Sequence, residues 1–508
     1  MRIALKLFTL ASFALLSNTK VKAQNNAVNT ITADQSEKQY RPRIHFTPPK
    51  GWMNDPNGMF YKDGIYHLYY QHNPDSNVWG PMHWGHATST NLMQWKHEPI
   101  AIYPDSIGMI FSGSAVVDVN NTSGFGINGK APIVAIFTQH NMQGEKSGRI
   151  DFQTQSIAYS NDNGYTWKMY AANPVIKNPG IKDFRDPKVM WHEASQKWIM
   201  TLAVKNKVSF YSSLNLKDWT KESDFGENLG NHDGVWECPD LFTLQLNNTT
   251  YWVLTSSINP GGPNKGSATQ YFIGEFDGHT FSSSSTKTKW MDYGADNYAG
   301  VTFSNTGSDR ISIGWMSNWM YAQQVPTVNW RSATTLPRNL SIAAENGELY
   351  LASNASKYLL SIVKKVMIVP NGAGVIRDEN KGKPFKINFE QEGNKPFTFV
   401  ISNAKGQHIK FGYDAVSNQY FIDRTAAGDK KFHPEFAAKH VAPRISNSKN
   451  ITLYAVLDKT SIELFADNGM TVMTDIFFPA APFSKIKIET MDGKVIKNNF
   501  QLTTYLTP

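Results

Sequence analysis

The 508 residues contain one cysteine, Cys238. No intrachain disulfide can form, so a disulfide-stapled scaffold is excluded and the fold must be held by its core. Long apolar runs are scarce too. The one marked run, 7–16, follows the basic residues Arg2 and Lys6 and precedes the small-residue stretch Val21-Lys22-Ala23. That pattern predicts a secretory signal peptide over 1–23, too short to cross a bilayer, and no other span is expected. With no Cys after it, a lipid anchor on a mature N-terminal cysteine is also excluded, leaving a secreted or periplasmic location. Charge of one sign is modest. The formal net charge is +8, and losing Arg2, Lys6, Lys20 and Lys22 takes 50 basic residues to 46 against 42 acidic ones, a net +4. There is no basic block, so nucleic acid is not an expected partner. The Gly-rich stretch 259–263 lacks the Lys-Ser/Thr ending of a phosphate cradle and reads as a loop.

Aromatic residues, by contrast, are plentiful: 13% of the chain, with 14 Trp and 21 Tyr. Aromatic faces stack on sugar rings and also fill β cores. After a polar leader at 24–40, strand-like segments recur at 66–71, 133–139, 198–204, 251–257 and 311–317. Each follows another short apolar segment and a turn, and four are followed by a further echo ending in an aromatic residue. The echoes Asn91-Leu92-Met93-Gln94-Trp95 and Asn215-Leu216-Lys217-Asp218-Trp219 are especially alike. About four strands in about sixty residues, five times over, predict the blades of a β-propeller across 41–352. Beyond a polar joint at 353–358 the pattern changes. Short strands with Gly- and Asn/Asp-rich turns predict a β-sandwich over 358–508. The expected fold class is all-β: a five-bladed propeller followed by a C-terminal sandwich.

Three acids occupy one place in the repeat. Asp55, Asp186 and Glu237 each stand shortly before the core strand of units one, three and four, and each is next to a Pro or one residue from it. In a propeller the first strands line the central axis, so the three would converge at one end of it. Structure alone does not require like charges to be gathered together, because burying them is unfavourable. Catalysis does require it. One carboxylate can attack an anomeric carbon while a second gives a proton to the leaving oxygen. A third, kept ionised by a cation such as the adjacent Arg185, can hold sugar hydroxyls.

The motifs Trp52-Met53-Asn54-Asp55-Pro56-Asn57-Gly58, Arg185-Asp186-Pro187 and Glu237-Cys238-Pro239 resemble the three signatures of glycoside hydrolase family 32, the fructosidases. Phe111-Ser112-Gly113-Ser114, Gly314-Trp315-Met316 and Asp296-Asn297-Tyr298-Ala299-Gly300 match as well, the last in the manner of secreted bacterial levanases and exo-inulinases. The resemblance implies a five-bladed propeller with a sandwich, and a retaining mechanism without metal or cofactor, whose carboxyl groups stand roughly 5 Å apart. It makes Asp55 the nucleophile, Glu237 the general acid/base and Asp186 the transition-state stabiliser. Trp52, Met53, Asn54, Gln71, Trp79, Phe111, Ser112, Arg185 and Trp315 would bind the fructose. The implied substrates are fructan, levan or inulin, and sucrose, cut from non-reducing ends. Endo-acting and fructotransferase variants of the same triad remain alternatives, as does a fructan-binding protein without activity. His83 and His86 have a metal-like spacing but lack a third ligand nearby. Cys238 is expected to pack or hydrogen-bond against the neighbouring acid, and the sandwich, which carries no motif acid, to cover the propeller's side.

Overall fold

A computed structural model describes residues 32–375, 382–490, 493–496 and 498–506. The expected signal peptide at 1–23, and the leader as far as residue 31, lie outside the described residues. Within the expected loose leader, Ala33–Tyr40 is a helix. Thr32 caps it by accepting from the Gln35 amide while the Gln35 side chain accepts from the Thr32 amide, a reciprocal arrangement that satisfies two otherwise orphan donors. Tyr40 then anchors the helix edge-on to Phe478.

Five antiparallel sheets of about four strands follow in chain order. The innermost strands are Gly51–Lys62, Met109–Val117, Phe184–His192, Val235–Leu246 and Tyr298–Thr302. Next outward come Ile65–Asn73, Ile133–His140, Lys197–Val204, Thr249–Asn259 and Ile311–Met316. These second strands hold the segments that recur in the sequence, and their near-continuous burial accounts for their unbroken apolar character. The ring is closed by Trp330–Arg331, which pairs in parallel with Gly51 and Trp52 of the first blade. The likeness of the two Asn-Leu echoes is structural. Asn91 accepts from the amides of Met93 and Gln94, and Asn215 from those of Lys217 and Asp218. In both, the closing Trp donates to the Leu carbonyl.

The strands after residue 362 form two six-stranded sheets. A 3-10 turn, Lys357–Ile362, precedes them where the sequence shows no helical pattern. Their inward residues, among them Phe397, Phe399, Phe411, Ile409, Leu464 and Ile488, form one apolar core, the two-layer solution for sheets with one greasy face. The sandwich does more than lie along the propeller. Its strand Thr471–Ile476 hydrogen-bonds through its backbone to residues 292–296 of the fourth-to-fifth blade connection.

Candidate active site

The turn-like run around Asp55 is not a turn. It lies inside the strand Gly51–Lys62, whose register with its neighbour breaks between Met53 and Pro56. The other four innermost strands break register at the same end: between Ile110 and Gly113, between Arg185 and Lys188, between Glu237 and Asp240, and between Tyr298 and Val301. A bulge leaves residues unpaired and redirects their side chains. It also accommodates Pro56, Pro187 and Pro239, which have no N–H to give to a ladder. Asp186, Cys238 and Ala299 take φ of 64°, 44° and 54° at these bulges, uncommon for residues with a Cβ. Four of the five bulges therefore turn side chains toward a common space, and the fifth sends Tyr298 to Glu237.

That space is a cavity of about 240 Å³. Asp55, Asp186 and Glu237 all line it, with Asn54, Gln71, Trp79, Phe111, Ser112 and Arg185. Asp55 is held on both oxygens: Ser112 Oγ donates to Oδ2 at 2.6 Å and Asn54 Nδ2 to Oδ1 at 2.9 Å. Asn54 is oriented in turn by Trp52 Nε1, at 2.7 Å. Asp186 Oδ2 accepts from the Cys238 amide at 3.0 Å. The Cys238 thiol lies 3.6 Å from Oδ2 of Asp55 and 3.6 Å from Oδ2 of Asp186, so it bridges the two aspartates and not its chain neighbour Glu237.

Arg185 also departs from the expected pairing. Its Nε is 3.9 Å from Asp186, whereas it donates to Glu237 Oε1 at 3.0 and 3.2 Å and to Asp183 at 2.7 Å. The bulge sends adjacent residues to different partners. Tyr298 OH donates to the other Glu237 oxygen, Oε2.

Burial pushes the Asp55 carboxyl up, and the Glu237 charge adds to this, while bonds from Ser112, Asn54 and Cys238 pull it back. Asp186 is pushed from 3.8 to about 7, first by burial and then by the charges of Glu237 and Asp55, against the opposing Arg185. Burial and the nearby aspartates raise the Cys238 thiol well above its usual range. It is therefore a neutral donor here and not a thiolate nucleophile.

Three residues expected to bind substrate do not line the cavity. Trp52, Met53 and Trp315 are fully buried. Trp315 lies behind Trp319, with ring centroids 4.8 Å apart, and Trp319 forms the wall instead. The strand Ile311–Met316 ends just after Trp315, and the turn that follows swings Trp319 across it. Other lining residues went unnoticed in the sequence: Asp183, His140, Glu145, Phe152 and Gln153. His140 stacks on Phe111 at 4.3 Å and hydrogen-bonds Glu145 at 3.0 Å, fixing the wall that Phe111 presents. Tyr298 lies in the motif at 296–300 and Asp183 just before the motif at 185–187, whereas His140 and Glu145 carry no local signal. His83 and His86, three apart on the strand His83–Ser89, face opposite sides of it and do not converge.

Residues 45–353 match the family described as glycosyl hydrolases family 32 N-terminal domain, and residues 364–504 match the family 32 C-terminal domain. A levanase of Bacillus subtilis is 44% identical over 490 residues, covering 92% of this chain and 71% of that protein. An extracellular exo-inulinase of Aspergillus niger is 40% identical over 487 residues, covering 87% and 90%. The crystal structure of an exo-inulinase from Aspergillus awamori superposes with a TM-score of 0.84 at 36% identity, covering 94% of this chain and 99% of that one.

Proposed function

The chain belongs to glycosyl hydrolase family 32, and from that premise we propose that it is a retaining β-fructosidase, releasing fructose from the non-reducing ends of β-fructans and from sucrose. The observation that carries this reading is the convergence of Asp55, Asp186 and Glu237, one from each of three innermost strands, on a single cavity the size of one sugar residue.

In the first half of the reaction Asp55 attacks the anomeric carbon of the terminal fructosyl unit. The bond to the leaving oxygen breaks, and Glu237 gives that oxygen a proton. Ser112 and Asn54 keep the Asp55 carboxylate oriented without neutralising it. Arg185 and Tyr298 hold the Glu237 carboxylate left behind. In the second half Glu237 takes a proton from water, whose oxygen displaces Asp55 and frees fructose with its configuration retained. Glu237 keeps 20% of its side chain exposed and Asp186 only 6%. This favours Glu237 for the open side, where the leaving chain departs, and Asp186 for the depth of the pocket, where it meets sugar hydroxyls as positive charge builds on the ring. Trp79, Phe111 and Trp319 wall the remainder.

A pocket of about 240 Å³ suits a chain end better than the middle of a polymer. Product analysis on levan, inulin and sucrose tests this. Free fructose should dominate from the earliest time points with all three. Early mixed oligosaccharides would point to endo-cleavage, a cyclic or anhydro disaccharide to transfer, and binding without sugar release to a lectin-like role. Export belongs to the same reading: the segment 1–23 has signal-peptide character, and the A. niger relative is described as extracellular. No helix among the described residues is long and apolar enough to cross a membrane.

A further inference from the structure

The connection that delivers Tyr298 to the active site is built partly from the sandwich. Between the strands Lys289–Trp290 and Tyr298–Thr302, Tyr293 donates to the Val472 carbonyl at 2.8 Å and Asp296 to the Thr474 carbonyl at 3.0 Å. In return, the amides of Thr474 and Ile476 donate to Asp292 and Asp296 at 2.8 and 3.0 Å. The approach at Gly294 is so close that a Cβ there would lie 2.1 Å from the Thr474 backbone. The side chains lock the same contact. Arg424 of the sandwich donates to Asp296 at 2.6 Å and to the Tyr321 hydroxyl at 2.9 Å, and Tyr321 donates to the other Asp296 oxygen at 2.6 Å. All three are buried.

Two residues beyond Asp296 stands Tyr298, whose hydroxyl holds Glu237. The link between them has no slack. Asn297 is bonded to Asp292, and the next residue, Ala299, gives its amide to Ser257 at 3.0 Å while sitting in the bulge at φ 54°. Domain cohesion alone does not call for this arrangement. A buried ion pair is seldom more stabilising than apolar packing of the same volume, but it does fix one geometry.

We propose that the sandwich is part of the acid/base apparatus: Arg424 is a positioning residue that acts through Asp296 and Tyr298 to hold the Glu237 carboxyl at the leaving oxygen. The inference rests on the reading of Glu237 as proton donor. It identifies a role for a sandwich residue 128 positions from its partner in the chain.

The test compares two substrates in the full-length protein. Sucrose has a leaving group that needs a proton. An activated aryl β-fructofuranoside does not, and azide, as a nucleophile needing no base, relieves the second half-reaction. The neutral pair Arg424→Met/Asp296→Asn removes both members of this ion pair, while Asp475 nearby keeps its bond to His440. General acid–base catalysis contributes about 10²–10⁴-fold, so mispositioning should lower kcat on sucrose by about 10–100-fold, with little change in KM. The aryl rate with azide should stay within about 3-fold of the parent. Arg424→Lys, which keeps the charge but loses the forked contacts, should lie between the two proteins on sucrose. If the neutral pair does not fold, Arg424→Lys decides the matter by the same substrate contrast. Equal losses on both substrates, or none on either, would overturn the proposal. Glu237→Gln serves as the reference. If it too lost both activities equally, Glu237 would not be the proton donor and the functional reading itself would fail. If it is selective and the Arg424 variants are not, only the positioning role fails.

Discussion

Asp55 and Glu237 differ in what holds them, and the difference predicts how their loss behaves. Asp55 is fixed by neutral donors, Glu237 by a guanidinium and a phenol. Asp55→Ala and Glu237→Ala should each reduce turnover on sucrose by about 10³-fold or more while leaving the melting temperature within a few degrees. Azide should restore part of the rate only for Glu237→Ala on the activated fructoside. Near-normal turnover by folded Asp55→Ala would remove it as nucleophile. Asp186 predicts a pH effect. Its folded-state value of about 7 lies above the ordinary 3.8. Well below pH 3.8 the group is protonated in both folded and unfolded chains. As pH rises toward 7 the unfolded chain ionises first, so the folded state loses stability across that window. The difference in melting temperature between Asp186→Asn and the parent should therefore move in favour of the variant between pH 4.5 and 7.5. Activity runs the opposite way: kcat/KM of the parent should rise through the same window as the carboxylate ionises. A melting difference that does not change with pH would contradict the raised value.

At the scale of elements, the bulges explain both what could be read in advance and what could not. Apolar, β-rich segments announced the second strands of the blades, and those are strands. The run Asn54-Asp55-Pro56-Asn57-Gly58 has the composition of a turn, yet it lies inside the strand Gly51–Lys62. A bulge uses the same residues, since it too needs unpaired amides and unusual φ. The bulge in Met109–Val117 gives a direct test. At Gly113 a Cβ would stand 2.1 Å from the Ile136 carbonyl oxygen and 2.6 Å from the Phe137 Cα, both backbone atoms that cannot turn aside. Gly113→Ala should force this strand off its neighbour and carry Ser112 away from Asp55. Overpacking of this kind typically costs about 1–3 kcal/mol. We expect a melting temperature lower by several degrees and kcat/KM on sucrose lower by about 10-fold or more. A variant with parental kcat/KM would show that Ser112 does not depend on the local strand geometry.

Across the whole molecule, the sandwich was expected to cover the propeller's side, yet buried charges cross between the two. Arg338 of the last blade donates to Asp292 at 2.8 Å and to Glu463 of the sandwich at 2.5 Å, and His45 bridges Asp458 and Glu463 at 2.9 Å each. His45 is raised from 6.5 to about 9, as bonds and charges from the two acids outweigh burial. Removing one member of such a network leaves an uncompensated buried charge, a loss of about 3–5 kcal/mol. Calorimetry should show propeller and sandwich melting in one transition in the parent, and Arg338→Met should lower that transition markedly. Two separate transitions in the parent would mean that the network does not couple the two parts.

The chain by itself determined its chemistry and its period. One cysteine, three acids in register, adjacent prolines and a sixty-residue repeat are local facts, and each follows from residue type and spacing alone. The tertiary structure decided direction and partnership. Arg185 donates to Glu237, 52 residues away, and reaches its neighbour Asp186 only as a charge at 3.9 Å; Cys238 bridges the two aspartates and not Glu237; Trp319 displaces Trp315 from the wall; and Tyr298 reaches Glu237 from 61 residues away. The physical reason is the same in each case. Along a regular strand, side chains alternate faces and the sequence predicts which way each points. A bulge or a tight turn resets that alternation, and where it falls depends on the neighbouring strands, which belong to distant parts of the chain.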